Sequence, residues 1–342
     1  MILLDLLNMA NHNHKVFIFI YLYLLREMSL NSFVKLIKKH YPKEKEQYAI
    51  SENNASDTIK TFLKKEFSNS TYTLSMDIIT PFIEKSKYIQ INYERITFNC
   101  AAPSDEMPPI LYLLRIVKRV VCLLRLFSIE KSYTIWLLPI KERRFFPNAG
   151  EMVGPKHING GYTYVSGTTI FVYRFEECAK VILHEILHHS PFDTHGCWAS
   201  TDIEKIRSLC NIHSDVILNV NEAIVEFWAV FFECLFVSHE YHLPILMLLK
   251  KEQDWSQIQS SKLIIYQRSH FPKWKEETNA YCYIVIKAIL LKNYEDFIKI
   301  HTPYSSEILS KFIMDNMNTL IIATKIKSIE KTSMRMTLFG DI

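Results

Sequence analysis

The stretch Phe175-Glu-Glu-Cys-Ala-Lys-Val-Ile-Leu-His184-Glu185-Ile-Leu-His188-His189 decides how this chain is read. It meets neither Gly nor Pro before Pro191, so a helix is predicted over 175–189. On a helix, residues four apart stack on one face, which brings the rings of His184 and His188 close enough to share an ion. Zinc favours imidazole nitrogen in tetrahedral sites and lowers the pKa of a bound water toward about 7. Glu185 follows the first of these histidines and is the candidate base for that water's proton. This is the physical content of the His-Glu-x-x-His pattern. The bland alternative is a helix whose two histidines cap a surface turn. Ile182, Leu183, Ile186 and Leu187 argue against it: they bury the helix, and buried histidines need partners.

Upstream the pattern is β-type. Runs at 133–138, 157–165 and 168–173 read as short strands, with Ser166-Gly167 predicting a hairpin between the last two. The chain has only seven glycines, and five of them (Gly150, Gly154, Gly160, Gly161, Gly167) fall within 150–167. That concentration marks tight turns or a close backbone approach; the plain alternative is a hairpin loop with no further role. Further back, 88–98 alternates as a strand does and 110–127 reads as a buried helix. Downstream, helices are predicted at 215–239, 243–252, 278–298 and 305–326. Strands first and helices second make the expected class α+β, with a small mixed sheet. The expected organisation is a mostly helical region with a strand pair over 1–128, followed by a unit over 129–342. That unit divides into sheet and motif helix (129–190), an inserted loop (191–214) and a helical part (215–342).

A catalytic zinc keeps three protein ligands and one open position, so two histidines leave one ligand to find. The metzincin arrangement needs Gly three residues after the second histidine and His or Asp six after. Pro191 and Thr194 stand there instead, with Asp193 and His195 each one residue off. A better candidate is Asn221-Glu222-Ala-Ile-Val-Glu226. Its two carboxylates lie four apart in a segment otherwise apolar through Phe227, Trp228, Val230, Phe231 and Phe232. A carboxylate in such a helix is expensive unless it meets a proton donor or a metal. The alternative is an amphipathic helix whose acidic face, Glu233 included, is solvated.

The pair of motifs, His184-Glu185-x-x-His188 and Asn221-Glu222-x-x-x-Glu226, resembles that of the thermolysin-type gluzincins. The resemblance implies a zincin-like fold, Glu222 as third zinc ligand and Glu226 as the group that orients His184, with Asn221 beside them. It also implies an edge strand before the motif that pairs with an extended substrate; Asn159, Gly160, Gly161 and Tyr162 occupy the corresponding place. Between His188 and Glu222 lie 33 residues, more than such enzymes usually show, and an inserted loop from Pro191 to about Asp215 accounts for the excess. The run from His157 to the motif is also similar to uncharacterised metallopeptidase-like proteins of large DNA viruses. A donor for the developing oxyanion is still required. Candidates are His239, Tyr241, His242, His270, Tyr281 and Tyr283, with the region of Tyr281 and Tyr283 preferred.

Composition bounds the remaining readings. Apolar residues make up 49% and charged residues 22%, which suits a globular chain with ample core. The net charge of +4, without a block of like charges, gives no support for nucleic-acid binding. The apolar run 16–25 is too short to span a bilayer and lacks a small-residue cleavage site, so a buried helix is expected rather than a membrane span or signal peptide. Seven scattered cysteines suggest reduced thiols and an intracellular, cytoplasmic setting, or a virion if the chain is viral. A second, structural zinc at His195, Cys197, Cys210 and His213 is a rival metal site; the cysteines as small apolar side chains are the alternative. Three functions are thus in play: a zinc peptidase acting on peptide or protein, a zinc hydrolase acting on another amide or acyl group, and an inactive interaction module on the same fold.

Overall fold

The computed structural model describes residues 29–164, 167–194, 198–300, 304–320 and 329–341. The apolar run 16–25 and the Ser166 turn position lie outside these residues.

Ser29 opens α1 (Leu30–His40), its hydroxyl accepting from the Ser32 amide, and Ser56 caps α2 (Asp57–Ser68) in the same way through Ile59. Between them runs β1 (Ala49–Asn54); α3 (Met76–Glu84) follows. A hairpin of β2 (Lys87–Tyr93) and β3 (Ile96–Ala102) turns at Glu94, whose φ is 50°. The chain then crosses through α4 (Ile110–Leu126) to β4 (Tyr133–Leu137), parallel to β3. After α5 (Pro155–Ile158) come β5 (Gly161–Thr163), β6 (Thr169–Val172) and α6 (Cys178–Leu187). Among the described residues that follow, the elements are helical: α7 (Ser200–Leu209), α8 (Asn221–Tyr241), α9 (Ile245–His270), a π-turn (Cys282–Ile286) running into α10 (Lys287–Lys292), α11 (Tyr294–Phe297) and α12 (Ser306–Asn316).

The six strands form one mixed sheet in the order β1-β2-β3-β4-β6-β5. Period-two alternation assigns its faces. Tyr133, Ile135, Leu137, Ile170 and Val172 point to a large core shared with α4, α6 and α8. Trp136, Leu138, Phe171 and Tyr173 point the other way, onto Leu63 and Phe67 of α2 and Ile79 and Ile83 of α3. The mixed α and β class and the mixed sheet are as expected. Three strands precede residue 128 and three follow it, so that position falls within one sheet.

Several boundaries differ from expectation for local reasons. Residues 157 and 158 join a helical turn that starts at Pro155, where a missing N–H does no harm. Pro244 caps α9, which runs on to His270 instead of stopping at 252. The predicted helix over 278–298 carries the π-turn and breaks at Asn293. The stretch expected as an inserted loop contains α7. Among the described residues, no helix is long and apolar enough to cross a membrane.

Candidate metal centre

Every residue of α6 is buried, so its polar groups must find partners inside the protein. The helix starts after Glu177, held at φ 62°. Its fully buried carboxylate accepts from the Thr337 amide at 2.6 Å and pairs with Arg144 at 3.1 Å. His184 sits in the last turn and His188 at the end, still with helical dihedrals. Their ring centroids are 4.8 Å apart and their Nε2 atoms 3.1 Å apart.

Helix α8 packs along α6 and supplies the carboxylates. Glu222 Oε2 lies 3.2 Å from His184 Nε2 and 3.7 Å from His188 Nε2. One turn later, Glu226 Oε2 lies 2.9 Å from His184 Nδ1. Its other oxygen accepts from Lys180 Nζ at 2.7 Å. His188 Nδ1 faces Asp193 Oδ2 at 2.6 Å. Asn221 stands behind this contact: Nδ2 donates to Asp193 at 2.8 Å, and Oδ1 accepts from the amide and hydroxyl of Thr194.

These contacts decide the tautomers. An ionised carboxylate only accepts, so Glu226 and Asp193 call for a proton on the Nδ1 that each faces, which in the neutral imidazoles leaves a lone pair on each Nε2. Two lone pairs and a Glu222 oxygen then converge, which is repulsive unless a cation or a proton lies among them. His184, His188 and Glu222 offer ligand atoms within 4.8 Å of one another, and the group could hold a metal ion. The residues therefore fit a cation on chemistry as well as on distance. Charge in the protein itself runs the same way. Burial works against a cationic His184, yet the hydrogen bonds it donates to Glu222 and Glu226 outweigh it and hold its pKa up to about 10. Burial likewise opposes charge on His188, and Asp193 raises its pKa in spite of it. Burial alone would raise the Glu222 pKa, but the two histidines keep it below the ordinary carboxylate value.

Glu185 is different. It is 7% exposed, lines the cleft beside the histidines, and has no hydrogen bond or ion pair among the described residues. Burial raises its pKa. The cleft has a volume of about 560 Å³, and its wall includes Asn159, Gly161 and Tyr162 from the strand side and Tyr283 opposite. Tyr283 Oη donates to Glu222 Oε2 at 3.1 Å and its ring meets His184 edge-on.

The strand side is built as expected in place. Strand β5 is an edge of the sheet. The close backbone approach expected of Gly160 and Gly161 is to the protein's own packing. A Cβ on Gly161 would stand 2.8 Å from the Phe171 carbonyl and from Val181, and one on Gly160 would stand 2.3 Å from Arg144 Nη2. Asn159 Oδ1 accepts from Thr278 at 2.8 Å, and Tyr162 stacks on Phe171 with its hydroxyl near Glu66 O at 3.4 Å.

Of the donors considered for the oxyanion, only Tyr283 lines this cleft. Tyr281 is a correction: its hydroxyl donates to Cys210 O at 3.4 Å and it faces a separate cavity of about 590 Å³. His270 is another, with Nε2 on Glu330 at 3.3 Å and its ring on Tyr266. Both sit where regular helical spacing did not anticipate the π-turn and the length of α9. His239, Tyr241 and His242 lie at the far end of α8, roughly 25 Å along the axis from Glu222 at 1.5 Å per residue. The alternative of a solvated acidic face does not hold at Glu233, which is fully buried against Arg119 at 2.6 Å.

For the second zinc site, His195 and Cys197 lie outside the described residues. Cys210 is buried, and His213 pairs with Asp215 at 3.3 Å. Two site residues were not anticipated in these roles. Asp193 was set aside for spacing, since it orients a histidine rather than binding an ion. Lys180 carries a readable signal, the one lysine of an apolar helix, four residues before His184. Compared with known protein families, curated proteins and solved structures, the chain matches none of them.

Proposed function

We propose that this chain is a zinc-dependent peptidase of gluzincin type on a zincin-like fold. The observation that carries the reading is the convergence of His184 Nε2, His188 Nε2 and Glu222 Oε2 beside an unpaired Glu185. In this reading His184, His188 and Glu222 hold the ion, while Glu226 and Asp193 fix the two imidazoles by accepting their Nδ1 protons. Zinc bound there supplies an acidic water and polarises a carbonyl oxygen. Glu185 takes the proton of the attacking water and passes it to the leaving nitrogen. Its raised pKa suits both directions of that transfer, since a base works best near the operating pH. Tyr283 Oη, in the cleft wall, is the candidate donor for the developing oxyanion, turning its proton there from Glu222 Oε2.

The edge strand supports a peptide as substrate. The amide of Tyr173 donates to Gly160 O, so the pair 160 with 173 is a hydrogen-bonded one. Alternation along an antiparallel ladder makes Tyr162 the next such position, leaving the backbone groups of Gly161 and Thr163 turned to the free edge. Two outward positions with that spacing accept an extended backbone by strand addition. The test is hydrolysis of an unfolded protein substrate by the zinc-loaded chain. Turnover is expected in the wild type, with a loss of about 10²–10⁴-fold in Glu185→Gln at unchanged zinc content. Equal turnover in the two would remove Glu185 as the base; none in the loaded wild type would remove peptide hydrolysis.

A further inference from the structure

Beside the metal centre lies a group of buried charges that the proposed chemistry does not use. Lys180 precedes His184 by one helical turn and shares its face. It is 1% exposed, and Lys287 on α10 is equally buried. Glu252 of α9 and Glu177 are fully buried. Such groups need hydrogen bonds as well as opposite charge. A single stretch of chain supplies them. The Met336 carbonyl accepts from Lys287 Nζ at 2.6 Å. The Leu338 and Phe339 amides donate to Glu252 Oε1 at 2.7 and 3.1 Å, and the Thr337 hydroxyl donates to the same oxygen. The Thr337 amide donates to Glu177 at 2.6 Å.

This stretch also reaches the site itself. Met336 Sδ lies 4.0 Å from Lys180 Nζ. Met336 walls a void of about 30 Å³ together with Lys180, His184, Glu185, Glu226 and Tyr283. From it a continuous line of contacts leads to the ion: Met336 to Lys180, Lys180 to Glu226 at 2.7 Å, Glu226 to His184 Nδ1 at 2.9 Å.

We propose that residues 336–339, anchored by Lys287, Glu252 and Glu177, act as a positioning element of the metal centre, bracing Lys180 so that Glu226 stays aimed at His184 Nδ1. Metal affinity is then set in part by backbone some 150 residues away in sequence from the imidazole it steadies. Lys180, Thr337 and Met336 are positioning residues; none touches the ion. Because coupling is reciprocal, zinc binding steadies the segment in return. The inference rests on the metal reading above and adds to it what holds the ligand set in place.

The test uses the full chain and zinc alone, measured by competition with a chromogenic chelator well below the unfolding temperature. Lys180→Met should weaken zinc binding by about 10–100-fold, the range for lost outer contacts to a ligand. Thr337→Val, nearly isosteric, removes one hydroxyl contact to Glu252 and should weaken it several-fold. Ile79→Ala, buried on the opposite face of the sheet, is the control: it should lower thermal stability and leave zinc affinity within about twofold. Hydrogen exchange gives an independent readout. Zinc should slow the amides of 337–339 in the wild type and fail to do so in Lys180→Met. If Lys180→Met does not fold, Thr337→Val and the wild-type exchange data decide. Unchanged affinity in both site variants, or equal weakening in Ile79→Ala, overturns the proposal while zinc binding by the wild type leaves the metal reading standing. A wild type that binds no zinc removes both.

Discussion

The two halves of α8 carry acidic residues in similar apolar surroundings, yet they end in different chemistry. In the first half, Glu222 and Glu226 meet imidazoles. In the second half, Glu233 and Glu240 close on a single guanidinium: Arg119 Nη1 donates to Glu233 at 2.6 Å, and Nε donates to Glu240 at 2.9 Å. Arginine has donors only, so its charge is used up by the two carboxylates that hold it. An imidazole has two sides. When a carboxylate takes the Nδ1 proton, the other nitrogen keeps a lone pair for something else. Buried glutamates on a helix therefore announce a cation, and the identity of the partner decides whether the cluster is a closed staple or an open site.

The comparison can be broken at four points. The largest effect is expected from Glu222→Ala, which removes an ion ligand; zinc should be lost on dialysis, and retention of zinc would exclude Glu222 as a ligand. Next is Arg119→Met. It strands the fully buried Glu233 carboxylate, while Glu240 keeps Tyr41 and Arg115, and should cost about 3–5 kcal/mol in denaturant unfolding, with zinc affinity of the folded chain unchanged. A matching loss of zinc would mean that the two halves of α8 are one unit. Third is acid stability. Burial raises the pKa of Glu226, but Lys180 and His184 outweigh it and hold it down to about 2, against an ordinary 4.5. A lowered carboxylate stabilises the fold fully above pH 4.5 and loses that contribution as pH falls toward 2, roughly 3 kcal/mol in all. Glu226→Gln should flatten the acid limb of a stability profile by about that amount; an unchanged limb would deny the pairing. The smallest effect is the zinc affinity of Glu226→Ala, expected to fall by about 10–100-fold and clearly less than in Glu222→Ala. The reverse order would exchange the roles of the two residues.

How much of this could be read beforehand varied with the range of the interaction. Two histidines four apart, and two glutamates four apart in an apolar helix, are local patterns, and local geometry turned them to a common point. The β-branched runs likewise gave β4 and β6, since alternation is visible residue by residue. What was not legible depends on the chain meeting itself. Asp193 reaches His188 only because the turn at 190–194 folds back, bonded to Asn221. Tyr283 rather than Tyr281 faces the cleft because residues two apart on a helix point to nearly opposite sides, and which side meets the histidines is set by how the helix packs, not by a local pattern. The glycines were correctly sensed as a close approach, but the partner is Val181 and Arg144 of the same chain. Strand β1, polar and exposed along its whole length, has no apolar alternation to betray it.

The central claim is that His184, His188 and Glu222 form a zinc site, and metal analysis tests it most directly. Purified under zinc-replete conditions and dialysed, the wild-type chain should carry about one zinc, and His188→Ala should carry none while remaining folded. A wild-type chain without zinc, or a His188→Ala chain that retains it in full, would contradict the account.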